Sequence, residues 1–162
     1  MPVWIRKGID PGTIVTLDQP VPSQWKILQK LSEYDWQLPE ADYRRGERLS
    51  LAAAKLLCCD VNDSRKLAFM RIYLQVPYSG TEEDDADSRA TQAMNYMPRE
   101  LLAYQDLTSQ NLGFTPSLLG YKISTQEESG RVPGGFAVWL VWEKVPGVRL
   151  GEKDGSNVFW AL

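Results

Sequence analysis

The sequence contains no histidine. That absence removes the commonest general base, the commonest zinc ligand and every Ser-His or Cys-His nucleophile arrangement. Cysteine is nearly as scarce. Cys58 and Cys59 are adjacent in an apolar run, where a bridge between neighbours would be strained and would close no useful loop, so buried thiols are expected. No uninterrupted apolar segment is long enough to cross a bilayer, and the stretch Met1 to Gly8 lacks the apolar core of a signal peptide, which makes a cytoplasmic protein the expectation. A basic stripe is also missing. At a net charge of -3 the chain lacks the electrostatic footprint that phosphate backbones require, so neither nucleic acid nor membrane is an expected partner. The acids Glu82, Glu83, Asp84, Asp85 and Asp87 form a plain run without cage spacing, and a solvated loop is expected there rather than a metal site.

What is present suits one domain: 162 residues, 43% hydrophobic and 24% charged. The longest apolar stretch, Gly135 to Glu143, is rich in aromatic and β-branched residues and reads as a central strand buried on both faces. Pro146-Gly147 follows, so Glu143 to Gly147 is expected to be an exposed connector. From Phe69 onward the segment Lys66 to Val76 alternates, placing Phe69, Arg71, Tyr73 and Gln75 on one face and Met70, Ile72, Leu74 and Val76 on the other. Leu49 to Val61 has good helix propensity but runs into the turn Val61 to Ser64, and we favour a strand that pairs with the next one.

Helix is expected in two pieces, Ser88 to Met97 and Pro98 to Ser109, because Pro98 fits a first helical turn better than an interior. Leu101, Leu102, Tyr104 and Leu107 would form the buried stripe of the second piece, and Gly113 its left-handed cap. Leu118 to Ile123 reads as a short strand and Gln126 to Gly134 as a polar loop. The first 42 residues, with Pro11-Gly12 and Pro20-Val21-Pro22, read as an irregular arm packed through Trp4 and Ile5. Trp25, Leu28 and Leu31 recur at helical spacing within it, so a short helix is expected over Gln24 to Tyr34. The charged run Arg44 to Arg48 reads either as a solvated loop or as an anion-binding corner built on Gly46. The fold class is therefore α+β: a mainly antiparallel sheet of about five strands, one packed helix, an arm over residues 1–42 and the domain proper over 43–162.

In order, strand, strand, long loop, helix, strand, strand and a Glu-x-x-Pro-Gly connector resembles the small lobe of the protein-kinase fold. In detail the sequence is similar to fungal kinase-like proteins related to aminoglycoside phosphotransferases. The matching pieces are Ala68 to Tyr73, Arg99 to Tyr104, Thr115 to Tyr121 and Phe136 to Leu150. The resemblance implies that Arg71 stands where the family's phosphate-pairing lysine sits, Glu100 where the helix glutamate pairs with it, and Glu143 to Val145 on the hinge whose backbone hydrogen-bonds adenine. Two departures matter. Arginine is bulkier and always charged, so it would not present an ammonium to phosphates, and Gly46 stands alone where a glycine-rich phosphate cover is expected.

The family's catalytic and magnesium-binding aspartates lie well beyond the hinge, whereas this sequence ends about a dozen residues after Leu150. The resemblance thus implies a pseudokinase-like binding or scaffold module without catalytic residues or metal. Arg71, Glu100, Glu143 and Val145 would be its nucleotide-contacting positions, and bound ATP is left open but not its hydrolysis. Trp139 and Trp142 are expected in the core, with Trp4, Trp25, Trp36 and Trp160 available to cover an apolar face that meets a protein partner or a second copy. The alternatives are a small-molecule enzyme, such as a biosynthetic cyclase or isomerase, using a sheet-helix cleft lined by Tyr73, Tyr104 and Tyr121, and a truncated phosphotransferase.

Overall fold

A computed structural model describes residues 3–111, 113 and 115–145. Its elements are β1 (Ile14–Leu17), β2 (Ser23–Trp36), α1 (Glu40–Arg44), β3 (Leu51–Asp60), β4 (Asp63–Gln75), α2 (Ala86–Ala90), α3 (Arg99–Ser109), β5 (Leu118–Thr125) and β6 (Phe136–Glu143). The class is α+β. Six strands form one antiparallel sheet in the order β1-β2-β3-β4-β6-β5. The sheet curls until its margins meet: Gln19, just after β1, and Tyr121 of β5 exchange N–H to carbonyl hydrogen bonds of 3.1 and 2.8 Å, which makes the sheet nearly a barrel. Gly120 permits that approach, since a Cβ there would stand 2.9 Å from Ser23 Oγ and 3.1 Å from Leu17 Cδ1.

Both faces of the sheet are buried. The inner face gathers Leu17, Trp25, Ile27, Leu56, Cys58, Met70, Ile72 and Val141 into one cluster, which Trp4, Ile5 and Ile9 of the N-terminal segment complete. The outer face carries Tyr73, Phe136, Val138, Leu140 and Trp142, covered by Leu101 of α3 and by Met94 and Tyr96 ahead of it. The alternation expected along β4 is present, with Met70 and Ile72 inward and Phe69 and Tyr73 outward. β6 lies between β4 and β5, as an apolar run of its kind requires.

The N-terminal region departs from the expectation. The segment expected as a helix over Gln24 to Tyr34 is the long strand β2, and with β1 it raises the sheet from about five strands to six. The reason is a phase change. Trp25 and Ile27 alternate inward, but register shifts between Ile27 and Gln29 and between Lys30 and Ser32 reset the period, and the resulting spacing imitates a helix. Leu31, counted in that stripe, is exposed. Trp25 and Trp4 are interior side chains and do not cover an open face, whereas Trp36 is 66% exposed. Trp160 lies outside the described residues.

The helix expected over Ser88 to Met97 is reduced to the five residues of α2, capped by Asp85 accepting from the Ser88 N–H at 2.8 Å. The chain then leaves helix because its backbone is needed elsewhere. Gln75 Nε2 donates to the Gln92 carbonyl, the Met94 N–H donates to Gln75 Oε1, and Gln92 Oε1 accepts from the Tyr78 N–H. α3 forms as expected, but Leu102 is 46% exposed and the left-handed residue after the helix is Asn111, at φ 51°, instead of Gly113. The charged run resolves toward the solvated reading: Arg44 pairs with Glu40, Arg45 with Asp42, and Arg48 donates to the Tyr43 carbonyl while lying over its ring.

Candidate functional site

Alternation along β4 turns Arg71 and Tyr73 to the face that α3 covers, and Glu100 stands in the first turn of α3, where an acid complements the helix dipole. The two elements meet at one carboxylate oxygen. Arg71 Nε lies 3.3 Å from Glu100 Oε2, and the Tyr73 hydroxyl donates to that same oxygen at 2.6 Å. The Arg71 and Glu100 side chains are only 16% and 24% exposed. Arg71 Nε is buried and makes no hydrogen bond among the described residues, so its contact with Glu100 is charge pairing out of line for a hydrogen bond.

Aromatic rings close the rest of the junction. Tyr104 of α3 stacks on Trp142 at 5.4 Å, the Arg71 guanidinium lies 5.6 Å from the Trp142 ring centre, and Phe69 lies 5.8 Å from Trp142. Lys55, cross-strand neighbour of Arg71, places its ammonium 4.1 Å from the Phe69 ring centre. Burial and then the Glu100 hydrogen bond hold the Tyr73 phenol protonated far above the ordinary tyrosine range. Burial and then the Glu100 charge push Tyr104 up to about 12. Both phenols stay neutral and supply no base at neutral pH, and that of Tyr73 donates its hydrogen bond to Glu100.

Of the four positions carried over from the resemblance, the structure brings together Arg71 and Glu100 and leaves Glu143 and Val145 apart. Trp142 and Leu140 share the face of Arg71, so the next residue, Glu143, points to the other side. The Glu143 N–H donates to the Ser117 carbonyl at 2.9 Å, which ties its backbone to the strand start of β5, and Val145 is exposed. Pro146 and Gly147 lie outside the described residues.

Comparison with protein-family models, with curated proteins and with solved structures finds no match. The site therefore rests on its own geometry. Among the described residues no group of three or more Cys, Asp or Glu side chains converges as a metal site, and no helix is long and apolar enough to cross a membrane. Two open pockets lie away from the Arg71 junction. One, of about 290 Å³, is lined by Tyr96, Met97, Ile123 and Phe136. The other, of about 640 Å³, is lined by Arg65, Lys66, Leu67, Ser117, Leu119, Glu143 and Lys144.

Sequence reasoning placed Tyr73 as a pocket lining residue and missed it as the donor to Glu100. The available signal was its position two residues beyond Arg71 in an alternating strand. Also missed was the buried amide knot, in which Gln126 Nε2 donates to the Gln75 carbonyl and Gln92 Nε2 donates to Thr81 Oγ1. Gly135 belongs to it, since a Cβ there would stand 2.5 Å from Gln75 Oε1.

Proposed function

We propose that the chain is a non-catalytic binding or scaffold module built like a kinase small lobe, in which the residues that resemble a nucleotide site brace the fold. The observation that carries this reading is the position of Arg71: its guanidinium is spent on Glu100 and on the face of Trp142, with Nε buried, and is not extended toward an open cleft. The element order from β3 through β6, with α3 between β4 and β5, supports the likeness to the small lobe. The junction where a cleft would lie is filled by Tyr73, Tyr104 and Trp142, which favours bracing over small-molecule chemistry. Exposed Tyr34, Trp36, Met97 and Ile123 supply apolar surface of the kind that partners cover.

A thermal-shift titration with ATP and magnesium tests the reading, because a ligand that binds only the folded state must raise the melting temperature. The expected result is no shift at millimolar nucleotide. A saturable rise, or phosphate released from ATP by the purified chain, would overturn it.

A further inference from the structure

Three charged side chains of one strand hold the N-terminal segment inside the curled sheet. The cross-strand partners of Lys30, Glu33 and Asp35 are Leu56, Ala54 and Ala52, which belong to the inner cluster, so all three charges share the inner face. The two register shifts in β2 arrange this: Lys30, between them, turns inward, and Leu31 is left out at 42% exposure. A strand shaped only for burial would do the reverse. Ala52 and Ala54 are small and fully buried, and Trp4 and Ile5 fill the space over them.

The grip on the segment is that of a peptide site. Glu33 accepts two successive main-chain N–H groups, from Trp4 at 2.7 Å and from Ile5 at 3.3 Å, one on each carboxylate oxygen. Lys30 donates to the Ile5 carbonyl at 3.1 Å and to Glu33 at 2.6 Å, and Asp35 accepts from the Trp4 indole N–H at 2.7 Å. The Arg131 guanidinium lies 5.5 Å from the centre of the Trp4 ring. The Glu33 side chain is 10% exposed, and a carboxylate that deep is costly without such partners. No main-chain hydrogen bond ties residues 3–9 to the sheet among the described residues. The segment joins β1 through Pro11-Gly12, where Gly12, at φ 94°, donates its N–H to the Ile27 carbonyl at 2.7 Å, so residues 3–9 can leave while β1 stays paired.

We propose that the inner face beside Lys30, Glu33 and Asp35 is a peptide-binding site which the chain's own N-terminal segment occupies in cis, and which an extended partner segment carrying tryptophan followed by an aliphatic residue takes over. Glu33 and Lys30 address main-chain groups that any extended peptide presents. Sequence is read by Asp35 at the indole N–H and by the apolar space over Ala52 and Ala54. The segment is then an autoinhibitory strap, and binding in trans is limited by how often it lifts. This rests on the binding-module reading and names its partner class, and it stands or falls separately from the absence of nucleotide binding.

The test is fluorescence anisotropy with the full chain and a labelled synthetic peptide that has the sequence of residues 3–9. The full-length double substitution W4A/I5A, whose fold is checked by circular dichroism, empties the site. It should bind the peptide saturably and at least tenfold more tightly than the parent chain does. Adding E33Q should weaken that binding at least tenfold, and a peptide with alanine in place of tryptophan should not bind. A folded W4A/I5A that binds no peptide, binds the alanine peptide equally well, or is indifferent to E33Q would overturn the proposal. Hydrogen exchange on the parent chain decides the matter even if W4A/I5A does not fold. The Trp4 and Ile5 amides should exchange at least a hundredfold faster than those at the centre of β3, and exchange at the same rate would show a fixed part of the core and no strap. None of these outcomes bears on the nucleotide titration.

Discussion

The Tyr73 hydroxyl and Arg71 Nε converge on a single oxygen of Glu100, at 2.6 and 3.3 Å, and so fasten helix α3 to strand β4. The phenol makes the hydrogen bond and the guanidinium supplies only charge. Tyr73→Phe removes the hydrogen bond without opening a cavity. We expect a loss of about 1.5 kcal/mol in urea unfolding, in the range for a hydrogen bond to a charged group.

The barrel seam gives a second expectation. A side chain at Gly120 has to displace Ser23 and Leu17 before Gln19 and Tyr121 can exchange their hydrogen bonds. Gly120→Val should cost about 2 kcal/mol through overpacking and backbone shift. Hydrogen exchange would locate the damage: protection should fall at Tyr121 while the amides of β3 and β4 keep theirs. Uniform loss across the sheet would show that the seam is not separable from the rest.

Stability should fall at both ends of the pH scale, for different groups. Burial raises the Glu33 carboxyl, but hydrogen bonds from Lys30 and from the Trp4 and Ile5 N–H groups outweigh it and leave the carboxyl below its ordinary 4.5. Its contribution is present above pH 4.5 and is lost as pH falls through the depressed folded value. Glu33→Gln should flatten that acid limb and loosen the N-terminal segment.

On the alkaline side, burial pushes the Cys58 thiol from 9.0 up to about 12 and Tyr104 from 10.0 up to about 12. Raised values mean that the unfolded chain releases these protons first. Stability is therefore intact below pH 9.0 and declines between there and about 12. Cys58→Ala and Tyr104→Phe should each make the decline shallower, read as melting temperature against pH.

The amide knot behind β4 gives a further expectation. Gln75→Leu keeps the volume but leaves the Met94 N–H and the Gln92 carbonyl without their partner. A cost of about 2–3 kcal/mol is expected, since each buried group loses its compensation. Proteolysis should then cut first between α2 and α3, because Gln75 supplies the hydrogen bonds that tie the Gln92 and Met94 backbone to β4, leaving the segment held by the packing of Met94 and Tyr96.

The strands whose hydrophobic pattern has one uninterrupted phase were legible in the sequence. β4 showed its alternation from Phe69, and β6 showed an apolar run with glycine before it. β2 was not legible, because two register shifts break its phase within fourteen residues and leave Trp25, Leu28 and Leu31 in helical spacing. The meeting of Arg71 and Glu100 could be anticipated from face and helix position. The filling of the space around them could not, because it depends on Tyr104 reaching Trp142 across elements far apart in sequence. The amide knot was equally hidden: Gln75, Gln92 and Gln126 have no spacing in common, and only the folded chain brings them together.

The most direct measurement is a double-mutant cycle at Arg71 and Glu100, read as unfolding free energy in urea. If the pair is a brace, Arg71→Met and Glu100→Leu should each cost about 2–4 kcal/mol by stranding the other's partly buried charge. The combined variant should cost clearly less than the sum of the two, the remaining loss being the roughly 1.5–3 kcal/mol of the Tyr73 hydrogen bond that Glu100→Leu also removes. Single substitutions that leave stability unchanged while altering nucleotide binding would contradict the account, because the two residues would then serve a ligand and not the fold.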